Sequence, residues 1–135
     1  MKEQPARSLV LDSGALSPLL RNDRGMAARI EASRQVGVPV PVSALTVVEA
    51  VQEKTDLARS KWVLSRLRVE PVGQADSLTA VGLLRDAGGL PGHRYAIDAL
   101  VAALALRVAA PVIALTSDRD DRSRLCGNRV IIRAA

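Results

Sequence analysis

Phenylalanine is absent from this 135-residue chain, and Trp62 and Tyr95 are its only other large aromatics. The core must therefore be built from Val, Leu, Ile and Ala. Single-stranded nucleic acid is often gripped by bases stacked on aromatic platforms; that mode is nearly closed here, so a polynucleotide would be held through its backbone. Cysteine occurs once, at Cys126, which excludes an internal disulfide and suits a reducing compartment. The single histidine, His93, is distant in sequence, so Cys126 reads as structural rather than as a catalytic thiol. No apolar stretch reaches membrane-spanning length, because the longest, residues 96–112, is interrupted by Asp98 and Arg107. The opening MKEQPARS lacks the apolar centre of a secretory leader. The expected location is the cytoplasm, away from any membrane.

What is present is ordinary in amount and uneven in kind. Hydrophobic residues make up 48% and charged residues 24%, as in a soluble globular protein. The length suits one domain spanning residues 1–135, with 1–7 expected to be a flexible N-terminus. Nineteen Lys and Arg against fourteen Asp and Glu give a net charge of +5. Such a balance serves solubility, or it attracts a polyanion without any sequence readout. Lysine is confined to Lys2, Lys54 and Lys61, and arginine, which supplies the rest, is the better bidentate ligand for phosphate.

Leu9-Val10-Leu11 is a short apolar run that stops at Asp12-Ser13-Gly14, which reads as a buried strand and a turn. Helices are predicted over 24–36, 43–54, 56–67, 76–87 and 94–109, with Gly37 and Gly88-Gly89 as stops. Strands are predicted over 38–42, 69–72, 112–115 and 130–132, the first short or near an edge because of its prolines. Strands alternating with helices imply an α/β fold with a parallel sheet covered on both faces.

The acidic residues carry the chemistry. Asp12 follows the first strand and Asp118 closes Ala114-Leu115-Thr116-Ser117-Asp118. Either could simply cap a helix, with Asp120 and Asp121 favoured in the first turn by the helix dipole. In an open parallel sheet, however, ligands bind outside the carboxyl ends of the strands, and both residues point there. Thr46-Val47-Val48-Glu49 fits a capping box, a structural role for Glu49. Asp98 is harder to explain. It sits on a helix apolar almost all round, with Ala102 and Ala105 on its face, where an unpaired buried carboxylate is costly. Arg94, one turn earlier, could pair with it, or could contact phosphate with His93. Drawn together, such carboxylates repel by about 4 kcal/mol per pair at about 4 Å and an effective dielectric of about 20. A divalent cation relieves that repulsion, and all-oxygen ligands select Mg²⁺ or Mn²⁺. Such an ion can generate a hydroxide and stabilise in-line displacement at phosphorus. Thr116 and Ser117 offer hydroxyls to orient a carboxylate or a water.

Four stretches make the chain resemble the PIN-domain ribonucleases, and among them the VapC-type toxins. They are Leu9-Val10-Leu11-Asp12-Ser13-Gly14-Ala15-Leu16, Thr46-Val47-Val48-Glu49-Ala50, Ile97-Asp98-Ala99-Leu100-Val101-Ala102-Ala103-Leu104-Ala105 and Leu115-Thr116-Ser117-Asp118-Arg119-Asp120-Asp121. The resemblance runs over residues 9–132 and lies in the order and spacing of the motifs. It implies a PIN-like three-layer fold with a central, mostly parallel sheet of about five strands flanked by helices. It also implies a catalytic quartet of Asp12, Glu49, Asp98 and Asp118, with Asp12, Asp98 and Asp118 on the metal and Asp121 assisting. Mg²⁺- or Mn²⁺-dependent RNA cleavage, a homodimer and a small VapB-like antitoxin partner follow from the same resemblance. Arg119 stands where many relatives have proline, and Glu53, one turn beyond Glu49, could substitute for it.

Other readings are a PIN-like binding module without catalysis, a receiver-like phosphoacceptor and a dinucleotide site. The receiver would need paired acids at the first strand and a late lysine, and the chain has neither. Leu11-Asp12-Ser13-Gly14 lacks the dinucleotide glycine fingerprint.

Overall fold

The computed structural model describes residues 5–135, apart from the side chains of residues 119–121. The elements run β1 (Ser8–Leu11), α1 (Ser13–Leu20), α2 (Arg24–Gln35), β2 (Pro41–Ser43), α3 (Ala44–Ala50), α4 (Leu57–Ser65) and β3 (Arg68–Glu70). They continue α5 (Gln74–Asp86), α6 (Gly92–Arg107), β4 (Val112–Thr116), α7 (Arg119–Cys126) and β5 (Ile131–Ala134). The strands form one five-stranded sheet in the order β3-β2-β1-β4-β5, with every pairing parallel.

Alternation along the central strands divides the core in two. Val10 and Ala114 face the layer of α5, α6 and α7, where Ala99, Ala102 and Ala103 of α6 are buried. Leu9, Leu11 and Leu115 face the other layer, with Leu16 and Leu19 of α1 and Ile30 of α2. The small buried residues of α6, Ala99, Ala102, Ala103 and Ala105, let the helix pack closely in this layer. Cys126 is buried in the α5–α7 layer, and burial pushes its thiol pKa up despite nearby Arg122 and Arg129. That suits a structural cysteine, since it is the thiolate that reacts.

The chain builds β1, β2 and β3 outward on one side, then returns to place β4 on the other side of β1. The order therefore reverses between β1 and β4, the position where open parallel sheets make a crevice. Leu11 lies opposite Leu115 in register, which sets Asp12 and Thr116 side by side at the carboxyl edge.

Three sequence expectations need correction. The turn expected after Leu11 is the start of a helix, α1, which carries Pro18 within it. The predicted helix over 43–54 ends at Ala50. The capping box expected at Thr46 and Glu49 does not form, because α3 starts earlier: Ser43 is its N-cap and accepts from the Leu45 N–H at 3.3 Å. Thr46 lies inside the helix, buried, and its Oγ1 has no partner. At its far end α6 is tied down by Arg107, whose Nε donates to Asp76 at 2.9 Å.

Candidate metal centre

Asp12 is placed by backbone necessity. As N-cap of α1 its Oδ1 accepts from the Ala15 N–H at 3.1 Å, which meets one of the donors a helix start leaves over. Its own N–H donates to the Leu115 carbonyl at 3.3 Å, so the residue is fixed between β1 and β4. The cap uses one carboxylate oxygen. The other, Oδ2, accepts from the Thr116 hydroxyl, and Thr116 Oγ1 in turn accepts from the Asp118 N–H at 2.9 Å. Thr116 thus joins the end of β4 to both Asp12 and Asp118.

The residue that sequence reasoning missed is Arg122. Its side chain is only 2% exposed, and Nη2 donates to Asp12 Oδ2 at 3.2 Å and to Asp98 Oδ1 at 3.1 Å. Nη1 donates to the Asp98 carbonyl at 2.6 Å. The guanidinium therefore bridges the first strand end and α6. A signal was present in the sequence. Arg122 falls three and four residues before the buried Leu125 and Cys126, which is the inward face of α7, although the run Asp118-Arg119-Asp120-Asp121-Arg122 looks like a solvated face.

Asp98 is less enclosed than its apolar helix suggested. Its side chain is 38% exposed, because the first turns of α6 project past the sheet, with His93, Arg94 and Ala96 exposed and continuous burial beginning near Ala99. Asp12, at 6%, is the enclosed carboxylate. The Arg94–Asp98 pairing does not form: Arg94 lies over the Tyr95 ring, 5.4 Å from its centroid, and Asp98 takes Arg122 instead.

Asp118 is exposed beyond β4, and its carbonyl accepts from the Arg122 N–H at 3.3 Å. Glu49 is exposed on α3, and its carboxylate makes no hydrogen bond or ion pair among the described residues. The structure thus joins Asp12, Asp98, Thr116 and Asp118 through direct contacts and leaves Glu49 outside that network. The side chain of Asp121 lies outside the described residues.

Ser117 acts by packing. A Cβ on Gly14 would fall 2.0 Å from Ser117 Oγ and 2.9 Å from its backbone N, so the β4–α7 loop rests directly on the first turn of α1. Gly14→Ala is expected to push that loop away from Asp12, lowering stability by about 1–3 kcal/mol, as overpacking does. Urea unfolding measures this; an unchanged midpoint would mean that the loop yields freely.

Asp12, Asp98, Asp118 and the Thr116 hydroxyl present only oxygen donors, the chemistry a hard divalent cation takes. The donor types fit such an ion. Among the described residues, however, no three carboxylate, histidine or cysteine side chains are gathered closely enough to hold one, and a guanidinium stands between two of the carboxylates.

The sequence profile described as PIN domain matches residues 9–126. No curated protein matches the chain. Solved structures with the same fold include VapBC2 from Rickettsia felis bound to a DNA fragment from the promoter, at TM-score 0.70 and 14% identity, covering 95% of this chain and 98% of that one. DNA-bound VapBC from Salmonella typhimurium aligns at TM-score 0.67 and 19% identity, over 94% and 97% of the two chains. FitAcB from Neisseria gonorrhoeae aligns at 0.62 and 18%, over 92% and 95%. At these identities the likeness concerns the fold.

Proposed function

We propose, from the premise that the chain belongs to the PIN-domain family, that it is a divalent-metal-dependent endoribonuclease and the toxin of a VapBC-like pair. PIN domains are in general nucleases and in general use divalent ions. The observation that carries the reading is the joining of Asp12, Asp98 and Asp118 at the strand-order reversal through Thr116 and Arg122. Asp12, Asp98 and Asp118 would hold the ion, Mg²⁺ or Mn²⁺, with Asp121 as an additional ligand. Bound there, such an ion activates water and stabilises charge on phosphate. Thr116 keeps Asp12 oriented, and Glu49 acts from the rim on the attacking water.

RNA is supported by charge. The net charge is +5, and Arg21, Lys54 and Arg59 line a cleft bounded by α1 and by Ala50, the neighbour of Glu49. Asp56 also lines that cleft, and Arg94, exposed on α6, would be a further phosphate contact. Trp62 does not offer a free stacking surface, since Arg59 and Arg66 lie over its ring at 5.1 and 4.9 Å. An antitoxin partner is supported by the VapBC complexes that share the fold, and a homodimer belongs to the same reading. No helix among the described residues is long and apolar enough to cross a membrane.

The test is incubation of the purified chain with a total RNA pool and, in parallel, single-stranded DNA, with Mg²⁺, Mn²⁺ or a chelator. Cleavage of RNA with an ion and none with chelator is expected. A second reading, a module that binds without cleaving, is favoured by the guanidinium between Asp12 and Asp98; it is the result if neither ion supports cleavage of either polymer.

A further inference from the structure

The acidic site already contains a cation, and it belongs to the chain. One nitrogen of Arg122, Nη2, is shared between Asp12 and Asp98 at 3.2 and 3.1 Å, two of the carboxylates assigned above to the metal. A buried ion pair is maintained only when its geometry offsets the loss of water. Here the offset is incomplete on the arginine side: its Nε is buried without an acceptor among the described residues, whereas the large majority of buried polar groups are hydrogen-bonded. The carboxylates are served better than the arginine. Asp12 Oδ2 has a hydroxyl and a guanidinium on one oxygen, and Oδ1 has a backbone N–H.

We infer that Arg122 is the resident counterion of the metal site: it neutralises Asp12 and Asp98 while the ion is away, and a divalent cation binds only as the guanidinium withdraws. The inference rests on the metal reading given under Proposed function. Its physical basis is that two cations cannot share those oxygens, because like charges a few ångströms apart repel strongly in a partly enclosed site. Two properties follow. The chain folds without metal, since Asp12 and Asp98 are never left to repel each other. Its affinity for divalent ions is also lower than three carboxylates would otherwise give, so the site loads only at high ion concentration.

The test compares full-length wild type with Arg122→Met, which keeps an unbranched apolar stem and removes the charged head. Mn²⁺ binding is measured by calorimetry, and thermal midpoints are taken with chelator and with Mn²⁺. Arg122→Met is expected to bind Mn²⁺ at least tenfold more tightly, to melt earlier than wild type in chelator, and to regain that loss with Mn²⁺. Equal or weaker Mn²⁺ binding by the folded variant overturns the inference and leaves the metal reading standing. Absence of Mn²⁺ binding by both folded proteins overturns the metal reading itself, and the inference with it. If the variant does not fold, wild type decides by ¹⁵N NMR of the arginine Nε groups during Mg²⁺ titration. The Arg122 signal is expected to move with site occupancy and to exchange faster with water; a signal that stays fixed at saturation overturns the inference.

Discussion

Asp98→Asn is expected to abolish RNA cleavage, by about a thousandfold or more, while leaving the fold intact. A metal that activates water and stabilises a phosphoryl transition state contributes several kcal/mol, on the order of a thousandfold in rate. Its hold depends on negative charge that an amide does not carry. The fold should tolerate the change for a reason visible in the contacts. Arg122 Nη1 bonds the Asp98 backbone carbonyl at 2.6 Å, which the substitution does not touch, and the amide oxygen can still accept from Nη2. The Asp98 side chain is also 38% exposed, so water covers what the exchange leaves unmet. The readout is cleavage of a defined RNA at saturating Mn²⁺, with circular dichroism and urea unfolding as controls. Wild-type cleavage by the variant at saturating metal would remove Asp98 from the site.

That expectation was reached in sequence by an argument the structure alters. Asp98 stood out as a carboxylate on an apolar helix, which implied deep burial, yet α6 carries it just past the sheet. Asp12, which looked like an ordinary cap, is the enclosed one. Pattern alone could not separate these cases, because burial along α6 depends on where the helix crosses the sheet edge. What was legible was whatever depends on local periodicity: the alternation of strands and helices, the apolar stretch of β4, the glycine stops. All gave the parallel sheet, and with it the edge where Asp12 and Asp118 stand. Helix α1 was hidden by Ser13-Gly14 and Pro18, residues that usually punctuate, and was recovered only through its packing against β1, α3 and α4. Arg122 was hidden because a charged run reads as solvated unless the inward face of its helix is worked out first. Glu49 was placed by resemblance, and the structure leaves it exposed on α3, outside the contacts that join the aspartates.

Asp12→Ala is expected to give the largest loss of stability, about 3–4 kcal/mol, together with loss of cleavage. Three contacts end at once. The Ala15 N–H loses its cap, worth about 1 kcal/mol. Thr116 loses the acceptor for its hydroxyl but keeps its bond from the Asp118 N–H, so its share is small. The main term is Arg122. Removing one partner of a buried pair costs about 3–5 kcal/mol, because the remaining charge stays out of water. The low end applies here, since Asp98 still accepts from the same nitrogen at 3.1 Å. Asp12→Asn separates the terms, because the amide oxygen can cap α1 but its charge is gone. It should recover about 1 kcal/mol of the loss while remaining inactive. Urea unfolding of the two variants in chelator measures this directly. A loss below about 1 kcal/mol for Asp12→Ala would mean that the residue is only a cap and that Asp98 alone holds the guanidinium. A loss near the expected value makes the acid that orders the first helix the same one that keeps a buried arginine in place.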